Sequence, residues 1–327
     1  MEKTTDKTNN YFKKEVKNCW IITEGMAGTE NQCLAVAERL DISYSVKRIA
    51  LQQPFKTVSP FVFKTCPRWT IKGIDWTESH PDMIIASGRK AIPVALKFPN
   101  AFKVFIQNPK IDPNYFDLVA APIHDNIIGS NVIQTVAAPN RITHDNLAEA
   151  ASKFNFSSPD TKKIAILIGG QSKTHDIPDN FVEYLKADLA TYLNDPDYAF
   201  LVTVSRRTPN AVADKLKSLF ACKNCTFWDG RGENPYHAFL ASADYILVTE
   251  DSASMLSDAC STGKPVYRIA MSGGSAKFER LYKALQDKCG MRIFKGDLDR
   301  WTYTPLNDAQ LIADEIEKAF AKKSPSF

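Results

Sequence analysis

No stretch of the 327-residue chain approaches the roughly 18 apolar residues that mark a membrane span; runs such as Ile164 to Ile168 and Tyr245 to Val248 have the length of buried strands. Glycine is scarce, at 14 residues, and neither the GxGxxG dinucleotide fingerprint nor the GxxxxGK[ST] phosphate loop occurs. NAD binding and P-loop ATP hydrolysis are therefore not expected. Histidine is scarcer still: five residues (His80, His124, His144, His175, His237) lie scattered, with no HExxH, no GxSxG and no kinase motif set. The seven cysteines are an odd number spread thinly, and Cys19, Cys33 and Cys260 sit in apolar surroundings, which fits reduced core thiols rather than a disulfide framework. Cys222 and Cys225 form a CxxC with no second pair to complete a zinc site, and Asp297-Leu-Asp299 is a DxD in a charged loop. No metal site is expected. The lysine-rich N-terminus lacks the apolar core of a secretory signal, so a cytoplasmic location is expected.

What is present is an ordinary folded composition, 44% hydrophobic and 24% charged, long enough for two domains at roughly 100–200 residues each. The net charge of +4 conceals an asymmetry. From Ser45 to Lys110 there are eleven Lys or Arg against three acids, a surplus of eight that leaves −4 for the rest. Phe55, Phe61, Phe63, Trp69 and Trp76 are interleaved with those charges. Such a stretch suits an anionic membrane surface or a phosphate-bearing partner, and equally a solvated basic loop over an aromatic core. Nucleic acid is not expected, because no helix-turn-helix or RNA-binding aromatic motif is present.

Short β-rich runs alternate with helical periods throughout. The first half reads as strands at Trp20 to Thr23, Tyr44 to Leu51, Met83 to Ser87, Lys103 to Gln107, Asp117 to Ala121 and Asn131 to Val136, with helices at Glu30 to Leu40, Arg89 to Phe98 and Asp145 to Phe154. After a Ser/Pro/Asp-rich linker at Asn155 to Lys163 the pattern restarts and closes with a helix at Asn307 to Lys323. Strand-then-helix alternation implies parallel sheets covered on both faces. The expected fold is α/β, two Rossmann-like domains facing a cleft: a flexible segment 1–17, domains 18–156 and 157–304, and a C-terminal helix 305–327 that packs back.

In such sheets ligands collect beyond the carboxyl ends of the strands, where helix N-termini present free N–H groups. Four loops occupy such places. Thr23 to Gln32 carries Gly25 and Gly28; Gly169-Gly170-Gln171-Ser172-Lys173 follows the first strand of the second domain. Thr249 to Met255 includes Glu250, Ser252 and Ser254, and Gly273-Gly274-Ser275-Ala276-Lys277 opens another helix. Each alone reads as a plain βα turn; three in one domain favour a nucleotide-phosphate site. Arg206 and Arg207 end a strand of that domain, where paired guanidinium groups bind phosphate or form a surface ion pair.

At these loops the sequence resembles the mitochondrial fission ELM protein family. The blocks are ITEGMAGTENQCLAVAERL, PDMIIASGRKAIPVAL, IQNPKIDPNYFDLVAAPIHD, IGGQSKTHDI, VSRRTP, WDGRGENPYHAFLASADYILVTEDSASMLSDACSTGKPVY and GGSAKFERL, collinear from about Trp20 to Leu306. The family's architecture is similar to that of GT-B glycosyltransferases. The resemblance implies that Gly25, Gly28, Gln32 and Arg89 face an acceptor. Gly169, Gly170, Ser172, Lys173, Arg206, Glu250, Ser252, Ser254, Asp258, Gly274, Ser275 and Lys277 would then grip a nucleotide sugar. Glu30 is the expected base that deprotonates the acceptor hydroxyl, with Asp125, beside His124, in reserve; its plain alternative is a first-turn glutamate paired with Arg89 or Lys90. The expected activity is metal-independent transfer of a sugar from a nucleotide-sugar donor to an envelope or lipid-linked acceptor, with no cofactor, at the inner face of the membrane. The alternative is a non-catalytic adaptor that recruits a dynamin-like GTPase or other partner to a membrane.

Overall fold

The structure is a computed structural model that describes residues 12–58, 66–154, 156, 160–221 and 224–323. The chain divides into two compact units, one of residues 1–141 with 307–327 and the other of 142–306.

The first unit is built on a six-stranded sheet: β1 (Cys19–Thr23), β2 (Tyr44–Arg48), β3 (Met83–Ser87), β4 (Phe102–Ile106), β5 (Leu118–Pro122) and β6 (Val132–Thr135). Its order is β2-β1-β3-β4-β5-β6 and every pair is parallel. Because side chains alternate across a strand, Ile21, Ile85 and Ile106 enter one core and Trp20, Ile22, Ile84 and Ala86 the other. Both faces are apolar, so both must be covered. Helix α1 (Ala27–Leu40) covers the first face with Cys33, Val36, Ala37 and Leu40; α2 (Ala91–Ala95) covers the second.

The second unit repeats the scheme. Its strands are β7 (Lys162–Ile168), β8 (Tyr198–Val204), β9 (Cys225–Trp228), β10 (Tyr245–Thr249), β11 (Val266–Ile269) and β12 (Arg292–Ile293). The order β9-β8-β7-β10-β11-β12, all parallel, is the doubly wound dinucleotide-fold order. Its helices are α3 (His144–Ser152), α4 (Phe181–Asp188), α5 (Ala190–Leu193), α6 (Asn210–Leu219), α7 (Tyr236–Ser242), α8 (Ala253–Cys260) and α9 (Ala276–Cys289).

The last helix, α10 (Asp308–Lys323), belongs to the first unit, a placement the sequence reading did not specify, and buries Ile312, Ala313 and Ile316 in the α1-side core. Asp308 fixes its start by accepting from the amides of Val136 (3.0 Å) and Ala137 (2.9 Å).

Several elements differ from the sequence reading. Helix α3, placed there in the first domain, packs on α7 of the second unit. The strand expected from Tyr44 to Leu51 breaks at Ile49, and Ala50–Leu51 pairs instead with Ile71–Lys72. Pro93 lies within the helix expected from Arg89 to Phe98, which shortens to Ala91–Ala95. The linker residues 155 and 157–159 and the CxxC residue Cys222 lie outside the described residues.

Candidate functional site

In the second unit the chain turns outward from β7 in both directions, because β8 lies on one side of it and β10 on the other. That reversal opens a crevice between the ends of β7 and β10. A buried carboxylate fills it. Asp251 accepts from the Gly170 amide (3.1 Å), the Thr249 hydroxyl (2.7 Å) and the Arg207 guanidinium (2.7 Å), and its side chain is wholly buried. The Thr249 hydroxyl accepts from the Gly169 amide at 2.6 Å.

The sequence reading gave Gly169 and Gly170 to a phosphate, and the structure gives them another task. Their amides are already used, and their lack of side chains is demanded by packing: a Cβ on Gly169 would stand 2.1 Å from Asp251 Oδ1, and one on Gly170 2.1 Å from the Arg207 carbonyl oxygen. The two arginines separate in the same way. Arg207 is tied to Asp251, whereas Arg206 is exposed at a cavity rim with no ion pair or hydrogen bond among the described residues.

That cavity, of about 390 Å³, lies over the ends of β7, β8 and β9. Arg206, Trp228, Asp229, Asn234, Tyr236 and Met255 line it. The Trp228 indole N–H donates to the Arg231 carbonyl (2.8 Å), which fixes the ring, and Asp229 is neutralised by Lys217 at 3.0 Å. Tyr236 donates to the half-buried Asp258 carboxyl at 3.0 Å. Burial pushes that carboxyl up to about 7, partly offset by the Tyr236 bond. Aromatic walls with a few polar groups, and a guanidinium unpaired among the described residues, are the chemistry of a small-molecule pocket. Of these residues the sequence reading singled out Arg206 and Asp258; Trp228, Asn234 and Tyr236 lay within the WDGRGENPY block but carried no charge or spacing that marks a ligand.

The remaining loops of the unit are sewn together. His175–Asp176 pairs antiparallel with Ser272–Gly273, and the Gly274 amide donates to the Thr174 carbonyl at 2.6 Å. Beneath them His175 Nε2 meets the Tyr282 hydroxyl at 2.9 Å, which donates to the Glu250 carbonyl at 2.8 Å. The Glu250 carboxylate is buried, bound by Arg268 and by the Met271 amide (2.8 Å). Ser252 and Ser275 spend their hydroxyls as N-caps of α8 and α9. Ser172 accepts from the amides of Thr174 and His175, while Lys173, Ser254 and Lys277 are exposed.

In the first unit Glu30 is engaged, though by neither Arg89 nor Lys90. It accepts from Arg48 Nε (2.8 Å) and Nη2 (2.7 Å) and from the Thr23 hydroxyl (3.3 Å). The Arg48 bonds hold its carboxyl below the usual range, which suits an anchor and weakens a base. Lys90 pairs with Glu24. Gly25 has φ +78° beside the Arg48 side chain, Gly28 opens α1 with no neighbour within 4 Å of a notional Cβ, and Arg89 is exposed. Gln32 accepts from Gln107 at 3.0 Å. Asp125, at the end of β5, accepts from the Asn108 amide at 3.3 Å.

Among the described residues no group of three or more His, Cys, Asp or Glu could hold a metal ion, and Asp299 pairs with Arg292 at 2.6 Å. No helix among them is long and apolar enough to cross a membrane.

Comparison places this architecture. The fold is similar to that of the UDP-GlcNAc 2-epimerase from Methanocaldococcus jannaschii, with a TM-score of 0.52, 13% identity, and 93% of this chain and 99% of that chain covered. It is equally similar to MurG from Acinetobacter baumannii, with a TM-score of 0.52, 14% identity, and 94% and 92% covered. At such identities the likeness is one of fold, the GT-B fold. Two relatives are nearer in sequence. The mitochondrial fission protein ELM1 of Arabidopsis thaliana is 31% identical over 284 residues, which are 74% of this chain and 65% of that protein, so this chain spans less than two thirds of that relative's length. An uncharacterized Rickettsia prowazekii protein is 27% identical over 350 residues, covering 92% of this chain and 98% of its own length. With residues 27–320 matching the family described as mitochondrial fission ELM1, the chain belongs to that family.

Proposed function

We propose that the protein is a GT-B glycosyltransferase that takes a sugar from a nucleotide-sugar donor and passes it to an envelope or lipid-linked acceptor. The observation that carries this reading is the pocket at the carboxyl edge of the second sheet, where Arg206 has no ion pair or hydrogen bond among the described residues and faces a cavity walled by Trp228 and Tyr236. An aromatic wall offers a flat surface to a base, and a free guanidinium offers a diphosphate two parallel donors. The UDP-GlcNAc epimerase that shares the fold acts, by its name, on a uridine-diphosphate sugar, which supports the same ligand class here. Basic groups and helix N-termini would neutralise the departing diphosphate, so the reading needs no metal or other cofactor.

Calorimetry with UDP, GDP, CDP and CMP tests it. At least one should bind, and Arg206→Ala should weaken that ligand about tenfold or more, the cost of losing a charge-assisted bond of roughly 1.5–3 kcal/mol. The second reading, an adaptor without activity that recruits a membrane-remodelling GTPase, is favoured by the name of the Arabidopsis relative. It takes the lead if no nucleotide binds.

A further inference from the structure

A second arginine stands beside the cavity of the second unit, and the strand register brings it there. Thr203 and Trp228 are partners on the parallel strands β8 and β9, and an arginine follows each of them three residues on: Arg206 after Thr203 and Arg231 after Trp228. The two arginines thus emerge at one edge of the sheet from neighbouring strands. Arg231 is not part of the cavity wall, but its backbone is tied to two residues that are. Its carbonyl accepts from the Trp228 indole at 2.8 Å, and its amide donates to the Asp229 carboxylate. Gly230 (φ +93°) and Gly232 (φ +76°) flank it in left-handed backbone, and a Cβ on either would meet nothing within 4 Å. Packing does not ask for glycine at these positions; the backbone path that holds Arg231 against the rim does. The Arg231 side chain is exposed and makes no ion pair or hydrogen bond among the described residues. Its charge still reaches the rim: Asp229 is held below the usual carboxylate range chiefly by Lys217, and in smaller part by the Arg231 amide and guanidinium.

The charges at the rim select the ligand. Asp229 and Lys217 form an ion pair at 3.0 Å and cancel. Glu233, on the same loop, lines a neighbouring cavity of about 400 Å³ against α3, where it adds to the hold of Glu149 on the Lys153 ammonium. Trp228, Asn234, Tyr236 and Met255 are neutral. Two positive charges remain, on Arg206 and Arg231. A nucleoside monophosphate fills one guanidinium fork, whereas a diphosphate brings a second phosphate for the other. With its backbone already fixed at the rim, Arg231 needs only rotation of its own side chain to reach that phosphate. We propose that Arg231 is a second phosphate-binding residue of this pocket and that, with Arg206, it selects nucleoside diphosphates over monophosphates. This rests on the nucleotide reading and goes one step past it, from the class of ligand to the number of phosphates it carries.

The test is calorimetry of the full chain with matched pairs, UDP with UMP, GDP with GMP and CDP with CMP, on the wild type, Arg231→Ala and Arg231→Lys. The wild type should bind at least one diphosphate about tenfold or more tighter than its monophosphate. Arg231→Ala should weaken that diphosphate about tenfold and leave the monophosphate within about twofold, so that the preference largely disappears. Arg231→Lys, which keeps the charge and loses the fork, should restore part of it. Because Arg231 is exposed, both variants should melt with the wild type, and a purely structural role would weaken the two members of a pair alike. Equal loss for both, no loss for either, or a wild type that binds a monophosphate as tightly as its diphosphate overturns the assignment while the nucleotide pocket stands. Absence of binding by all six overturns the pocket reading itself, and this assignment with it.

Discussion

Glu30 shows how much a single carboxylate's surroundings decide. Its place in the first turn of α1, after a glycine-containing loop, is what a base or a structural anchor would equally need, and only the position of Arg48 on β2 separates the two. Two guanidinium bonds and one hydroxyl occupy its oxygens, so its work is to tie α1 to the sheet edge. Because its folded-state pKa is depressed, the stabilisation it contributes is complete above the ordinary glutamate range and is lost as pH falls through the lowered value. Glu30→Gln should therefore melt a few degrees below the wild type at pH 7, the gap closing in acid, with nucleotide binding unchanged. A gap that is constant with pH would show that ionisation of Glu30 is not what stabilises the fold. The same saturation applies to Gly169 and Gly170, whose amides read as a phosphate cradle until Thr249 and Asp251 are seen to occupy them.

At the scale of elements, α10 is the part of the chain whose sequence position and spatial position differ most. It follows the second unit yet completes the first, where Phe320 packs edge-on to Phe12 (5.2 Å) and Phe102 (5.3 Å). Ile312→Ala should cost about 2–5 kcal/mol, as truncation of a fully buried isoleucine does, and should lower the melting of the first unit and speed its proteolysis. A variant that resists both like the wild type would mean that this helix does not support the core. Most strands were legible because short continuous apolar runs bounded by turn residues fit strands buried on both faces; Met83 to Ser87 matches the sequence reading residue for residue, and the run Tyr245 to Val248 lies within β10. What was not legible depended on contacts distant in sequence. Helix α3 reads as amphipathic from either side of the linker, and only its packing on α7 assigns it to the second unit. The Glu24–Lys90 pair joins residues 66 apart, and the Trp228 and Tyr236 walls need the order of the strands before they face one cavity.

For the whole molecule, the basic surplus between Ser45 and Lys110 is smaller at the surface than in the sequence. Lys47 pairs with Glu78, Arg48 with Glu30 and Lys90 with Glu24, while Lys103 points its ammonium at the carbonyls of Phe98, Pro99 and Ala101. Phe61, Phe63 and Lys64 lie outside the described residues, and among the described residues of that stretch Trp69, 76% exposed, is the large apolar side chain offered to a bilayer. Adhesion to anionic vesicles should accordingly be weak, should fall with salt as charges are screened over about 10 Å at 0.1 M, and should drop with Trp69→Ala. Equal sedimentation with neutral and anionic vesicles would contradict an electrostatic contact.

Whether the Arg206 pocket of the second unit holds a nucleotide phosphate, as we propose, is measured most directly by calorimetry of the full chain with UDP, GDP, CDP and CMP. Saturable binding of at least one, weakened about tenfold or more by Arg206→Ala and unchanged by Glu30→Gln, is the expected result. No heat from any of the four, or binding indifferent to Arg206, would contradict it.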